Sequence, residues 1–388
     1  MENYEEKACL CALGKIFGFK PRIALALIEH LGSAQEVFKL NRSSLEQLLG
    51  PHSQYTDAIR RSTVYESCKE LEFYEKQSID FIGWTQEHYP ALLKECPDAP
   101  VGLYIRSRTH ASNLWTPAKN IAIVGTRDVS PYGKEWCSRI VQTLAKSEER
   151  PLIVSGLALG TDICAHKAAV EAGLPTIAVM ATGPESVYPY RHKEFAELLC
   201  QTPGCALVTD YPPGTAPLAI HFLRRNRIIA GLSDATILIE SKIKGGGMMT
   251  ARLAFSYSRD VFALPGRVDD IRSQGCNSLI KSKIAEPLTS TDELMENLGV
   301  TISDANTQVS EEQLIASTYR SRMSDDRILQ MSVILSTIRQ KRGITIEELA
   351  EDTGLGYART AELVSLLETD EFIKTDLLQR CCINVGKK

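Results

Sequence analysis

The chain has 388 residues, 44 lysines and arginines against 48 aspartates and glutamates, and a formal net charge of -4. That length calls for two or three domains, each able to bury its own core, and the charge excludes a uniformly basic nucleic-acid coat. An anion site has to be local, and residues 120–290 carry the positive balance, 19 basic side chains against 16 acidic.

The amino terminus, MENYEEKACLCALG, lacks a basic run followed by a signal-type apolar core, and nowhere do 18 apolar residues follow one another. The expectation is a cytoplasmic chain with no membrane segment. The 11 cysteines are scattered without CxxC or Cys/His spacing, as reduced thiols acting as small apolar residues are, and no metal site is expected.

Residues 5–75 repeat their apolar positions at helical spacing, with Gly, Pro, Asn and Ser at the breaks, and predict a helical domain over 1–80. Within it Leu13 to Gly18, followed by Lys20, Pro21 and a helix, resembles a helix-hairpin-helix (SAM-like) unit. Such a unit binds phosphates through N–H groups at a helix start, although small bundles use the same glycine turn for packing alone.

Residues 81–298 form the next unit. From Asn120 short apolar runs alternate with helical periods: IAIVG (121–125), PLIVSG (151–156), PTIAVMA (175–181), CALVTD (205–210), ATILIE (235–240) and DVFALPG (260–266). Fully apolar strands separated by helices predict a doubly wound, extended Rossmann-like α/β domain with a parallel sheet covered on both faces. Residues 299–324 are polar and aperiodic and read as a linker. After them DDRILQMSVILSTIRQ, ITIEELAEDTG, YARTAELVSLLETDEF and IKTDLLQRCCINV give three helices and a strand pair, the order of a winged helix over 325–388. Its third helix sets Arg359 against Glu362 and Glu368, so docking a protein partner is as reasonable there as entering a major groove.

In open parallel sheets ligands sit outside the carboxyl ends of the strands. Those ends deliver Gly125, Thr126 and Arg127; Ser155 and Gly156 with Gly160; Tyr188 and Pro189; and Lys242, Lys244, Gly245 to Gly247 and Thr250. Glycine lets backbone N–H groups approach a phosphate, and HFLRRNRIIAGLS adds Arg224, Arg225, Asn226 and Arg227 to the same rim. Asp162 and His166 lie four apart on one helix near it, as an acid/base pair or as a cap and a packing histidine. VGTRDVSPYG is not GxGxxG and GGGMMTA is not GxxxxGK[ST], so neither a dinucleotide cofactor nor P-loop hydrolysis is supported. No cofactor and no catalytic set is assigned.

The ordered series IVGTR, SGLALGTDICAH, TIAVMATG followed by YP, FLRRNRIIAGLS, GGGMMTARLA, VFALPG and GCNSLI over 121–284 resembles the DNA-processing protein A family (DprA, or Smf). The resemblance implies a protein that binds single-stranded DNA, forms a homodimer through the Rossmann-like domain and helps load the RecA recombinase during natural transformation, with no catalytic turnover. By position it implies Arg127, Lys193, Arg225, Asn226 and Arg227 as phosphate contacts, Gly156, Gly247 and Thr250 as backbone or hydroxyl contacts, and Tyr188 as a shaping residue. Arg224 is an addition to the motif, and Ser155, Asp162, His166, Lys242 and Lys244 stand beside the pocket. The chain departs from the family pattern at Leu159, Thr161, His192, Gly245 to Gly247 and Ile284-Ala285.

Two other readings compete. Nucleotide phosphoribohydrolases of a related doubly wound fold share the glycine-loop style of site, but need a Glu soon after it, and here no acid follows until Asp260. In an interaction scaffold, the arginines would instead pair internally with Asp210 or Asp234.

Overall fold

The computed structural model describes residues 2–300, 319, 323–341, 343–370, 372–376 and 380–383. The chain divides into two compact units, Met1–Ile302 and Ser303–Lys388. Of the expected linker 299–324, only residues 299, 300, 319, 323 and 324 fall among those described.

The first unit begins with six helices: α1 (Glu2–Phe17), α2 (Pro21–Leu31), α3 (Ala34–Lys39), α4 (Arg42–Leu49), α5 (Gln54–Arg61) and α6 (Val64–Glu75). Their starts and stops follow local chemistry. Pro21 opens α2 and Gly32 closes it in the left-handed region at φ 89°, while Ser33 and Asn41 accept hydrogen bonds from the first turns of α3 and α4.

Strands and helices then alternate: β1 (Ile79–Gly83), α7 (Ala91–Lys94), β2 (Gly102–Arg106), β3 (Asn120–Val124), α8 (Pro131–Leu144), β4 (Leu152–Ser155), α9 (Thr161–Glu171), β5 (Thr176–Val179), α10 (Lys193–Gln201) and β6 (Ala206–Thr209). They continue through α11 (Ala219–Gly231), β7 (Ala235–Leu238), α12 (Gly246–Ser256), β8 (Asp260–Ala263), α13 (Gln274–Lys281), β9 (Glu286–Pro287) and α14 (Thr291–Asn297). All six expected strands are present, in one large, mostly parallel sheet of order β1-β2-β6-β5-β4-β3-β7-β8-β9. Three strands were not anticipated. β1 and β2 are antiparallel additions at one edge, and the two-residue β9 closes the other.

Alternation along the strands builds two cores. Ile121 and Ile123 of β3 face Ile140, Val141 and Leu144 of α8, and Ala122 and Val124 face Ile228 and Ile229 of α11 with Ala251 and Ala254 of α12. Every strand of the middle is covered on both faces, which is why its sequence runs apolar without interruption. The helices before β1 share a third core with Ile79, Phe81 and Tyr104. That sharing makes the helical segment and the sheet one compact unit, since the bundle's apolar face is completed by the β1–β2 pair.

In the second unit a helix over Asp325–Gln340 precedes β10 (Ile344–Thr345), a helix over Ile346–Thr353, a helix over Tyr357–Thr369, and the strands β11 (Ile373–Thr375) and β12 (Arg380–Ile383). The strands pair antiparallel in the order β10-β12-β11. Thr345 and Glu348 form a reciprocal capping box, and Gly354 at φ 67° makes the turn between the second and third helices. Arg359 is engaged locally, by Glu362 at 2.9 Å and Gln330 at 3.1 Å. No helix among the described residues is long and apolar enough to cross a membrane.

Candidate nucleic-acid interface

Strands run outward from β3 through β4, β5 and β6 on one side, and through β7, β8 and β9 on the other, so the order reverses between β3 and β7. Loops leaving neighbouring strands at such a point diverge to opposite faces and leave a crevice. Here it is a cleft of about 560 Å³, lined among others by Gly125, Thr126, Arg127, Asp162, Tyr188, Phe222, Arg225, Asn226, Lys242, Gly245, Gly246, Gly247 and Thr250.

Arg127 is the exposed cation of the loop after β3. Its neighbour Asp128 is held by Arg272, Nη2 donating to Oδ2 at 2.8 Å and Nε to the main-chain carbonyl at 3.0 Å. Arg127 itself lies 5.3 Å from the centre of the Phe222 ring, and Phe222 packs on Tyr188 at 5.4 Å between centroids. The loop is thus pinned through Asp128 while the guanidinium of Arg127 faces the cleft without a carboxylate among the described residues.

Arg225 supplies the floor. It is 3% exposed, and its Nη1 donates to the Val179 carbonyl at the end of β5 at 2.6 Å. Gly156 makes room for it: a Cβ there would stand 1.7 Å from Nη1. Burial pushes the Arg225 guanidinium down to about 10 against the pull of Asp162, with Arg127 adding to the drop. Burial likewise raises the Asp162 carboxyl, opposed by Arg225 and by the Ala158 N–H. Arg127 and Arg225 thus bring two guanidiniums to one glycine-lined crevice, with Asp162 the carboxylate that acts on the buried one.

The start of α12 completes it. Gly245 is its N-cap and offers no side chain, so the helix end presents bare N–H groups. Gly247 permits close contact, since a Cβ would fall 3.2 Å from the Gly125 Cα. Asn226 reaches this turn, Nδ2 donating to the Gly246 carbonyl at 3.4 Å. The start of α8, by contrast, is filled by the protein's own carboxylate: Glu240 accepts from the Ser130 N–H at 2.9 Å and from its hydroxyl at 2.5 Å.

Other expected residues lie elsewhere. Arg227 is buried away from the cleft, paired with Asp210 and donating to the Asp98 carbonyl. Arg224 shares that carboxylate at 3.4 Å and is sandwiched between Phe19, 4.5 Å away, and Tyr211, 5.5 Å away. It fastens the Gly18–Phe19 turn between α1 and α2 to α11, which gives this extra arginine a packing role. For these two side chains internal pairing with Asp210 is what the structure shows. Lys193 is exposed, with Nζ 5.7 Å from the Tyr190 ring, and does not line the cleft. Lys244 lines an adjoining groove. Ser155 is buried and donates to the Ile123 carbonyl at 2.6 Å.

His166 does not pair with Asp162. It is buried against the Thr176 hydroxyl at 2.7 Å, and burial, then Arg225 and His192, hold its imidazole down to about 3 from an ordinary 6.5. The folded chain keeps it neutral where the unfolded chain takes up a proton, so its contribution to stability is whole above about pH 6.5 and is lost as the pH falls toward 3. About 2 kcal/mol is lost by pH 5. In urea titrations from pH 7 to pH 5, His166→Gln is expected to lose correspondingly less stability than the parent, and identical acid profiles would remove His166 as the cause.

Phe222, Asp128 with Arg272, and Glu240 carry parts of the site that sequence reading missed. Phe222 was accessible, since it precedes Arg225 by three on a helix and shares its face.

The family model DNA recombination-mediator protein A matches residues 80–299, from β1 to beyond β9. Protein Smf of Synechocystis sp. is 32% identical over 295 residues, 76% of this chain and 73% of its own length. The X-ray structure of DNA processing protein A from Streptococcus pneumoniae is similar with a TM-score of 0.61 and 30% identity, over 76% of this chain and 96% of that one. The structure that gives insight into the unique single-stranded DNA binding mode of DNA processing protein A from Helicobacter pylori is similar with a TM-score of 0.50 and 29% identity, over 57% of this chain and 95% of that one. With the match covering the whole sheet and the crevice at its strand reversal, the chain belongs to the DNA recombination-mediator protein A family.

Proposed function

We propose that the chain binds single-stranded DNA at the crevice between β3 and β7, as a recombination mediator without catalytic turnover. The observation that carries this reading is the pair Arg127 and Arg225, one exposed and one at the floor, facing the uncapped start of α12. Guanidiniums and bare N–H groups recognise phosphate oxygens and carry no base preference. Lys242, Asn226, Gly247 and Thr250 line the same cleft and Gly156 seats Arg225, which supports their assignment to the strand-binding set. The single-stranded DNA binding of the Helicobacter pylori relative agrees with it.

A homodimer formed through the α/β domain and assistance to RecA loading during DNA uptake are further parts of the proposal, supported by family membership. The doubly wound, extended Rossmann-like assignment is supported by the strand order. A helix-hairpin-helix origin for α1 and α2 is supported by the glycine turn between them. A winged-helix identity for the second unit is supported by its order of three helices and a small antiparallel sheet. Arg359, spent on Glu362 and Gln330, favours a protein partner for that unit over DNA.

The test is a salt titration of the full chain on single- and double-stranded oligonucleotides. Single strands should bind tighter, with affinity falling steeply and log-linearly as salt rises, because each neutralised phosphate releases counterions. Salt-insensitive binding, or a preference for duplex, would refute the phosphate reading.

A further inference from the structure

Two phenylalanines, two residues apart, leave α1 in different ways. Phe17 is 1% exposed, belongs to the core of the helical bundle and stacks on Tyr55 at 4.5 Å between ring centres. Phe19, beyond Gly18 in the turn to α2, is 63% exposed and takes no part in that core. Its ring is set against α11, with the Arg224 guanidinium 4.5 Å from its centre and the His221 ring at 6.0 Å. Arg224 Nη1 also lies beside Gly18, 4.0 Å from where a Cβ there would stand. What the Phe19 ring does is therefore done on α11, where a cation over the face of a ring is an attraction in its own right.

The start of α11 is what needs holding. This helix sends Phe222, Arg225 and Asn226 to the crevice, yet its N-cap, Leu218, makes no side-chain cap, and Ala219, Ile220 and Leu223 in its first two turns are exposed. An uncapped helix end in water frays. Arg227 and the core residues Ile228 and Ile229 secure the helix only from its third turn on. Before that, on the side away from the crevice, the Tyr211 hydroxyl donates to the His221 carbonyl at 3.3 Å, and Arg224 lies between Phe19 and Tyr211. Resting on the strand-binding reading above, we propose that Phe19 is a positioning residue of that site: by clamping Arg224 it fixes the first two turns of α11, and with them the placement of Phe222 and Arg225 at the crevice. Neighbouring side chains leave a helix about 100° apart, so Arg224, held on the outer side, sets the direction in which Arg225 leaves the axis. A frayed end presents these side chains in their binding arrangement for only part of the time, and the apparent affinity falls by that fraction. The helical segment thereby contributes to binding without touching the strand.

The experiment measures single-strand affinity of the full chain by fluorescence anisotropy at several salt concentrations for the parent, Phe19→Ala, Phe19→Leu and Phe19→Tyr, with thermal melting of each. Phe19→Ala should bind about fivefold more weakly, the worth of one partly exposed cation–π contact, and keep the salt slope of the parent, because no phosphate contact is lost. Phe19→Tyr, which retains the ring, should restore parental affinity, and Phe19→Leu, which retains only apolar bulk, should not. A cycle with Arg224→Gln should be non-additive, since both substitutions open one contact. Parental affinity in Phe19→Ala, an equal loss in Phe19→Tyr, or additivity with Arg224→Gln overturns the proposal. A shallower slope in Phe19→Ala also overturns it, by making the turn itself a phosphate contact, and so does tighter binding with a steeper slope, which would mean that Phe19 withholds Arg224 from the strand. If Phe19→Ala melts below the parent, the comparison of Phe19→Leu with Phe19→Tyr decides, because both keep most of the side chain's bulk. If Arg127→Ala weakens binding and Phe19→Ala does not, this proposal fails alone; if the parent binds no single strand, the strand-binding reading fails and this one with it.

Discussion

Arg227→Ala is expected to lower the unfolding free energy of the first unit by about 3–5 kcal/mol, the cost of leaving one member of a buried ion pair unpartnered. The side chains of Arg227 and Asp210 are 7% and 4% exposed, so little water can replace the lost guanidinium. The same guanidinium also ties the Asp98 carbonyl, whose residue accepts from the Tyr257 hydroxyl at 2.7 Å. Removing it therefore loosens the segment before β2, the end of β6 and the end of α12 together. Urea unfolding would measure the loss, and a cycle with Asp210→Ala should show strong coupling because the two residues share one interaction. Unchanged stability would mean that this pair is solvated. Arg224→Ala should cost less, since Arg227 still neutralises Asp210.

Arg127→Ala is expected to do the opposite, leaving stability within about 0.5 kcal/mol, as for an exposed side chain, while cutting single-strand affinity about 10- to 100-fold, the worth of a charge-assisted contact. The loss should be the same on every sequence, and the magnitude of the salt slope should drop by about one, the signature of a phosphate contact. Fluorescence anisotropy on two unrelated oligonucleotides at several salt concentrations would check it. Full affinity in this variant would remove Arg127 from the site.

These two arginines show where the sequence was informative and where it was not. IAIVG, PLIVSG and ATILIE are continuous apolar runs because their strands are buried on both faces, and the runs alone mark them. IDFIG and GLYIR were missed because they lie at or next to the sheet edge, where Asp80 and Arg106 are tolerated. In RRNR all the arginines look equivalent as text. A helix turns about 100° per residue, so Arg224 and Arg227, three apart, share a face and a carboxylate, while Arg225 turns toward the crevice. Motif matching could not separate Arg227 from Arg225, because the deciding partner, Asp210, is brought in by β6. The glycine run was legible as close backbone approach. For Asp162 and His166 the sequence left two alternatives, and the contacts agree with the packing one, His166 on the Thr176 hydroxyl and Asp162 on the Ala158 N–H.

The contact between Gly156 and the Arg225 guanidinium also makes a backbone position a control on where a charge sits. The space a side chain at 156 would need is the space the guanidinium occupies. An alanine at 156 would have to turn the end of the Arg225 side chain off the Val179 carbonyl, and so would displace a cation at the crevice without changing the net charge.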